Sequence, residues 1–141
     1  MNLETPFDFS GRVAAITGGG GVLCGTLSRA LAQCGATIAV LDILSAAAEE
    51  VAGEINAAGG RAIPVQADVL DRESLQDAVR AVDGAFGRID ILINGAGGAK
   101  KEATTSETLS FFDLPEEAVR WVFDLNMMGT FFPCQVFGRY M

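Results

Sequence analysis

Residues 12–25 read Arg12-Val13-Ala14-Ala15-Ile16-Thr17-Gly18-Gly19-Gly20-Gly21-Val22-Leu23-Cys24-Gly25. A short aliphatic run from Arg12 to Thr17 has the composition of a strand. Leu23, Leu27, Ala30 and Leu31 then recur at helical spacing, and Gly35 stands where a helix end takes a left-handed residue. Four glycines between them are costly in backbone entropy. At a strand–helix junction they let the chain turn tightly and approach an anion, which the helix N-terminus then stabilises. The alternative is an ordinary glycine-rich turn. A P-loop is excluded, because Gly20 and Gly25 have its spacing but Thr26 stands where lysine is required. The strict G-x-G-x-x-G also fails, since counting from Gly19 its third position is Cys24.

Outward from this stretch the pattern repeats. Thr37–Asp42 reads as a second strand, followed by a helix that Ser45 can cap, with Val51 and Ile55 inward and a stop at Gly59-Gly60. Ala62–Ala67 is a third strand, and Pro64, which cannot donate to a ladder, places it at a sheet edge. Asp71 can cap a third helix bearing Leu75, Val79, Val82 and Phe86 on one face and closed by Gly87. Ile89–Ile93 is a continuous apolar run suited to a strand covered on both faces. A long polar loop, Gly95 to Asp113, precedes a final long helix opened by Pro115, Glu116 and Glu117. Alternating strands and helices with right-handed crossovers predict an α/β, Rossmann-type doubly wound parallel sheet of order 3-2-1-4. The interior character of strand four leaves it without a partner, so the expectation is a single nucleotide-binding domain, 1–141, truncated before the later strands.

Composition narrows the function. The chain has 141 residues, enough to bury about 70% of its unfolded surface. Ten Lys+Arg against 18 Asp+Glu give a net charge of −8, which repels nucleic acid and anionic membranes, and neither is expected as a partner. The opening Met1–Ser10 has two acids and no basic residue, so no secretory pattern is read there. The greasiest run, Val119–Phe137, is interrupted by Arg120, Asp124, Asn126 and Pro133, so no membrane span is expected. Cys24, Cys34 and Cys134 form neither a CxxC nor an even set, which fits a reducing, cytoplasmic location. With no histidine, Ser-His-Asp and Cys-His catalysis are excluded, and no metal site is expected.

Several positions carry chemistry. Asp42 ends strand two, 24 residues after Gly18, where a carboxylate can accept both ribose hydroxyls of an adenosine and repel a 2′-phosphate. No Arg or Lys lies between Arg29 and Arg61 to receive that phosphate. With the glycine loop, Asp42 points to NAD, although strand-end aspartates also serve as simple caps. Asp68-Val69 follows strand three, where the acid could meet an adenine amino group or merely cap the loop. Asn94-Gly95-Ala96-Gly97-Gly98 leaves room for a ligand where the strand order reverses, or forms a turn. Asn126 is a poor helix former inside the last helix, pointing to an amide bonded near a site or to a satisfied structural residue. Thirteen of the twenty residues from Ala118 to Phe137 are apolar on all sides of that helix. Its outer face, including Trp121 or Phe132, is open to a second subunit or to further chain.

Together these motifs closely resemble the short-chain dehydrogenase/reductase family, with T-G-x-x-x-G-x-G, an acid ending strand two, an Asp-Val, an N-N-A-G segment and an N-x-x-G. Here they stand as Thr17-Gly18, Asp42, Asp68-Val69, Asn94-Gly95-Ala96-Gly97 and Asn126 to Gly129. Val22 and Cys24 occupy the second and third glycine positions, and Gly95 replaces the second Asn. The cofactor-binding set so implied is Thr17, Gly18, Gly20, Gly21, Val22, Leu23, Asp42, Asp68, Val69, Asn94, Gly95, Ala96 and Gly97. The GGGGVLC loop, the long insertion after Asn94 and Phe111-Phe112-Asp113-Leu114 resemble the D-mannonate oxidoreductase (fructuronate reductase)-like branch. That implies hydride transfer between NAD and a sugar acid, with Lys100 and Lys101 as possible partners of its carboxylate or as a solvated pair. The family's serine and Tyr-x-x-x-Lys pair have no counterpart here, since Tyr140 lacks the following lysine. Asn126, the proton-relay member, is the one catalytic residue the resemblance assigns, and the fragment alone is expected to be inactive. A homo-oligomer through the 115–138 helix is expected; a non-catalytic dinucleotide-binding module is the alternative.

Overall fold

The computed structural model describes residues 7–141; residues 1–6, which begin the segment read as lacking a secretory pattern, lie outside it. Four parallel strands, β1 (Val13–Thr17), β2 (Thr37–Asp42), β3 (Arg61–Gln66) and β4 (Ile91–Asn94), form one sheet in the order β3-β2-β1-β4. Pro64 therefore lies on an edge strand, as a residue without an N–H requires. The helices are α1 (Val22–Gln33), α2 (Ser45–Ala57), α3 (Arg72–Phe86), α4 (Glu116–Phe123) and α5 (Gly129–Tyr140).

The pleat distributes the core. In β1 and β2, Val13, Ala15, Ala39 and Leu41 face Leu75 and Val82 of α3 and Phe137 of α5. Their neighbours Ala14, Ile16, Ile38 and Val40 face the other way, toward Val51 and Ile55 of α2 and Cys24 of α1. Glycine stops work as read: Gly35, Gly59 and Gly87 take φ values of +92°, +87° and +72°. The Asp71 carboxylate accepts the Glu73 N–H and caps α3.

Several expectations are corrected. Ser45 is not a cap but the first residue of α2; Leu44 holds the cap position, and its N–H is taken by Asp42 Oδ1 at 3.0 Å. Leu23 and Leu27, read at helical spacing, fall on the exposed side of α1, because that helix meets the sheet through Cys24, Gly25 and Ser28. A Cβ on Gly25 would stand 3.2 Å from Val51 Cγ2 and 3.4 Å from Gly19 O, so the close approach selects small residues. The final helix is not continuous: residues 124–128 form a π turn between α4 and α5, in which the Gly129 N–H reaches back five residues to Asp124 O. Pro115 stands just ahead of the first turn rather than in it. Strand four begins later than read, at Ile91, and all its residues are half-buried rather than covered on both faces.

Asp90, just before β4, ties the strand to the start of β1. Its carboxylate accepts Val13 N–H and Arg88 Nε–H, each at 2.9 Å, and Arg12 Nη1–H at 3.3 Å. The Arg88 hydrogen bond, followed by that of the Val13 amide, lowers its pKa from 3.8 to about 2. A carboxylate acidified by folding stabilises the native state above its unfolded value and loses that contribution as pH falls through its folded value. Asp90→Asn should therefore lower Tm at neutral pH and narrow its gap from the native chain between about pH 4 and pH 2, where the native carboxylate is itself protonated. A Tm difference unchanged down to pH 2 would show that the charge contributes nothing.

Candidate functional site: a crevice at the carboxyl edge of the sheet

A crevice of about 350 Å³ opens at the carboxyl ends of β1, β2 and β4, on the side where the strand order reverses. It gathers Gly18, Gly21, Val22 and Leu23 from the first loop and helix, and Asp42 from β2. Asp68 and Val69 close it after β3; Gly95, Ala96 and Gly97 enter after β4. Thr17, Gly20, Asn94, Asn126, Lys100 and Lys101 are not in its wall.

Most of these act from behind. Thr17 is fully buried, and its Oγ1 accepts the N–H groups of Gly95 and Ala96 at 3.1 and 3.2 Å, joining the loops after β1 and β4. Gly18, at φ +64°, lies so close to that second loop that a Cβ would come within 2.9 Å of the Gly95 and Ala96 backbone. The N–H groups of Gly19, Gly20 and Gly21 are spent internally, on Leu41 O, Asp42 Oδ2 and Gly18 O. What faces the crevice is the start of α1. Its cap residue Gly21 offers no side-chain hydrogen bond and its first turn has no acid, which leaves the initial N–H groups available to an anion.

Asp42 accepts one N–H on each oxygen, from Gly20 at 3.0 Å and Leu44 at 3.0 Å. A carboxylate has about four lone-pair positions, so its crevice side retains capacity for two hydroxyl donors. Asp68 accepts Leu70 N–H at 2.8 Å through Oδ1 while its own N–H goes to Ser74 Oγ, so it caps its loop as well as lining the crevice. Asn94 donates from Nδ2 to Cys134 Sγ at 3.2 Å, and its buried Oδ1 has no partner among the described residues.

Asn126 sits in the π turn, and every polar atom of its amide is used. Nδ2 donates to Gly98 O at 2.8 Å and Val122 O at 2.7 Å, and Oδ1 accepts Gly98 N–H at 3.2 Å. Val122 O is the carbonyl that an uninterrupted α-ladder would give to the Asn126 N–H, so the side chain replaces a backbone bond where the helix widens. The result straps the loop after β4 to the last helical stretch. Lys100 is held by the same stretch, its Nζ 4.1 Å from the Trp121 ring centre. The hollow beside Lys100 is lined by Glu102 and Glu117, and Lys101 is exposed in a short 3-10 turn.

Cys24, Ile43, Ala67 and Leu125 also line the crevice and were missed as site residues. Ile43, Ala67 and Leu125 were findable as immediate neighbours of Asp42, Asp68 and Asn126. Cys24 has a geometric reason to be where it is. A Cβ on Gly95 would lie 2.1 Å from Cys24 Sγ, so the thiol fills the space a side chain at 95 would need. The two departures from the family pattern, Cys for Gly at 24 and Gly for Asn at 95, meet in space. Burial, and then the Asp42 charge, raise the Cys24 pKa, so the thiol packs here as a neutral group.

The family model for short chain dehydrogenases matches residues 12–141. An uncharacterised oxidoreductase of Bacillus subtilis (strain 168) is 44% identical over 140 residues, covering 94% of this chain and 50% of its own. The D-threitol dehydrogenase of Mycolicibacterium smegmatis is 36% identical over 143 residues, 100% of this chain and 52% of its own. A crystal structure from Haemophilus influenza, provisionally assigned as a D-mannonate oxidoreductase and holding bound NAD, superposes with a TM-score of 0.89 at 39% identity. It is matched over 94% of this chain and 51% of that one. The chain spans about half the length of these relatives. A 3-2-1-4 parallel sheet, a glycine turn into an uncapped helix and a family match over residues 12–141 agree: this chain belongs to the short-chain dehydrogenase family.

Proposed function

We propose that this chain is the NAD-binding half of an oxidoreductase that transfers a hydride between nicotinamide and a carbonyl or alcohol of a sugar acid of the D-mannonate/fructuronate type. The observation that carries the cofactor reading is Asp42 in the wall of the same crevice as the open N-terminus of α1. NAD, when bound, supplies the hydride acceptor. The first turn of α1 receives its pyrophosphate, Asp42 accepts from the adenosine ribose, and Asp68 and Val69 border the adenine. Thr17, Gly18, Gly20 and Asn94 shape the wall from behind, and Gly95, Ala96 and Gly97 leave room beside it. Asn126 holds the loop that leads to Lys100 and Lys101, the proposed partners of a substrate carboxylate. The bound NAD of the Haemophilus structure supports the cofactor, and that protein's assignment supports the substrate class. Tyr140 donates to Asp83 on α3 and is absent from the crevice wall, so it has no part in this reading.

Two broader readings accompany it. Val119, Phe123, Met127 and Phe131 expose apolar surface at intervals of four along α4, the π turn and α5, which supports a homo-oligomer through residues 115–138. The three free thiols fit a cytoplasmic location. Among the described residues, no helix is long and apolar enough to cross a membrane.

Calorimetric titration with NAD tests the cofactor reading. Asp42→Ala should weaken binding by about 10- to 100-fold, the loss of charge-assisted hydrogen bonds of about 1.5–3 kcal/mol, while narrowing any preference over NADP. Unchanged NAD affinity in that variant would overturn the assignment.

A further inference from the structure

We propose that the groove between α3 and α5 is an oxyanion site for a phosphate-bearing small molecule, separate from the crevice. The groove, of about 780 Å³, is larger than the crevice and is lined by three of the chain's ten basic residues and by no carboxylate. In a chain of net charge −8 that is a local reversal of sign. Arg72, Gln76 and Arg80 lie four residues apart on α3, so they form one stripe. Gln135 and Arg139 form the facing stripe on α5.

The two guanidiniums that matter differ from ordinary surface arginines. Arg80 is paired with Asp77 and contributes little free charge. Among the described residues Arg72 has no carboxylate partner; its Nη2 donates to Gln135 Oε1 at 2.6 Å, and its guanidinium lies 4.2 Å from the Phe132 ring centre. That stacking fixes the fork in place with most of its five donors unused. Arg139 has no hydrogen-bond or ion-pair partner among the described residues, and it stands one helical turn beyond Gln135 on the same face. An oxyanion seated between Arg72 and Arg139 would meet fork donors from both sides, with little side-chain entropy lost at Arg72. Val79 and Val136 offer an apolar bed for the ligand's body, and Tyr140, whose hydroxyl donates to Asp83, completes the lining. The acidic exterior provides no long-range attraction, so recognition depends on these short contacts and weakens with salt.

The test is a titration of the full chain, without NAD, by backbone amide NMR at low ionic strength, with inorganic phosphate as the first probe and phenyl phosphate as the second. Saturable shifts of amides in 72–80 and 135–140 are expected, with phenyl phosphate binding more tightly than inorganic phosphate. Arg139→Gln, at an exposed position, should weaken both by at least about tenfold, and Arg72→Lys, which keeps the charge but loses the fork, should also weaken them. Shifts confined to 18–24 would place phosphate at the start of α1 alone and overturn the proposal. So would shifts linear in concentration, or affinity unchanged in Arg139→Gln and Arg72→Lys. Equal binding of the two probes would overturn the role of the valine bed.

Discussion

Gly20→Ala should reduce NAD affinity by about 100-fold, equivalent to about 2.7 kcal/mol, with the chain still folded. The added methyl would stand 2.6 Å from Ala47 Cβ, 2.8 Å from Ala47 C and 3.0 Å from Asp42 Oδ2. None of these can yield without moving backbone or the acid proposed to bind ribose. The Gly20 N–H is itself bonded to Asp42 Oδ2, so displacing residue 20 releases the carboxylate from its orientation. The same displacement tilts the peptide leading into the first turn of α1. Ligand contacts proposed at the ribose and at the pyrophosphate are thus disturbed by one methyl group that need touch neither. Gly53→Ala is the control: it adds the same methyl within α2, with nothing within 4 Å, and should leave NAD affinity within about twofold and raise stability by up to about 1 kcal/mol. Titration of both variants beside the native chain decides the matter. Native affinity in Gly20→Ala would mean that the glycine turn does not hold the cofactor.

Gly95→Ala should destabilise the chain by about 2–3 kcal/mol, and adding Cys24→Gly should return part of that loss. The single variant forces a Cβ to 2.1 Å from Cys24 Sγ, deep at the junction of α1 with the loop after β4. Removing the thiol deletes that contact. A second one persists, 2.9 Å to Thr17 O, so a shift of a few tenths of an ångström is still needed and recovery is incomplete. Cys24→Gly alone is destabilising in its own right, through a small void and about 0.3 kcal/mol of helix propensity. The informative quantity is the coupling from denaturant unfolding of all four proteins. A favourable coupling of about 1–3 kcal/mol shows that the two positions share one space. Additivity within about 0.5 kcal/mol would show that the two departures are independent.

These predictions separate what lies in local sequence from what lies in packing. The strand–turn–helix rhythm, the glycine stops at 35, 59 and 87, the Asp71 cap and the edge position of Pro64 are properties of a few consecutive residues. Backbone sterics and hydrogen-bond geometry act at that range, so they were legible before any contact was known, and the strand order followed from connection handedness. Many crevice residues were legible for the same reason, because the carboxyl ends of parallel strands must share one edge. The buried face of α1 was not. Leucine spacing marked a helix but not its buried side, since the sheet approaches closely enough to admit only Cys24, Gly25 and Ser28. The π turn at 124–128 was hidden likewise, because Asn126 exchanges a helical bond for partners on Gly98, 28 residues away in sequence. Cys24 and Gly95, seen separately as departures from a motif, became one feature only when the fold set them side by side. The arginines of α3 and α5 became a groove for the same reason. Sequence by itself determined the strand-and-helix rhythm, the strand order and the edge at which the crevice opens. Tertiary structure alone decided which side chains meet there, because contact between distant residues depends on close packing, which no local rule contains.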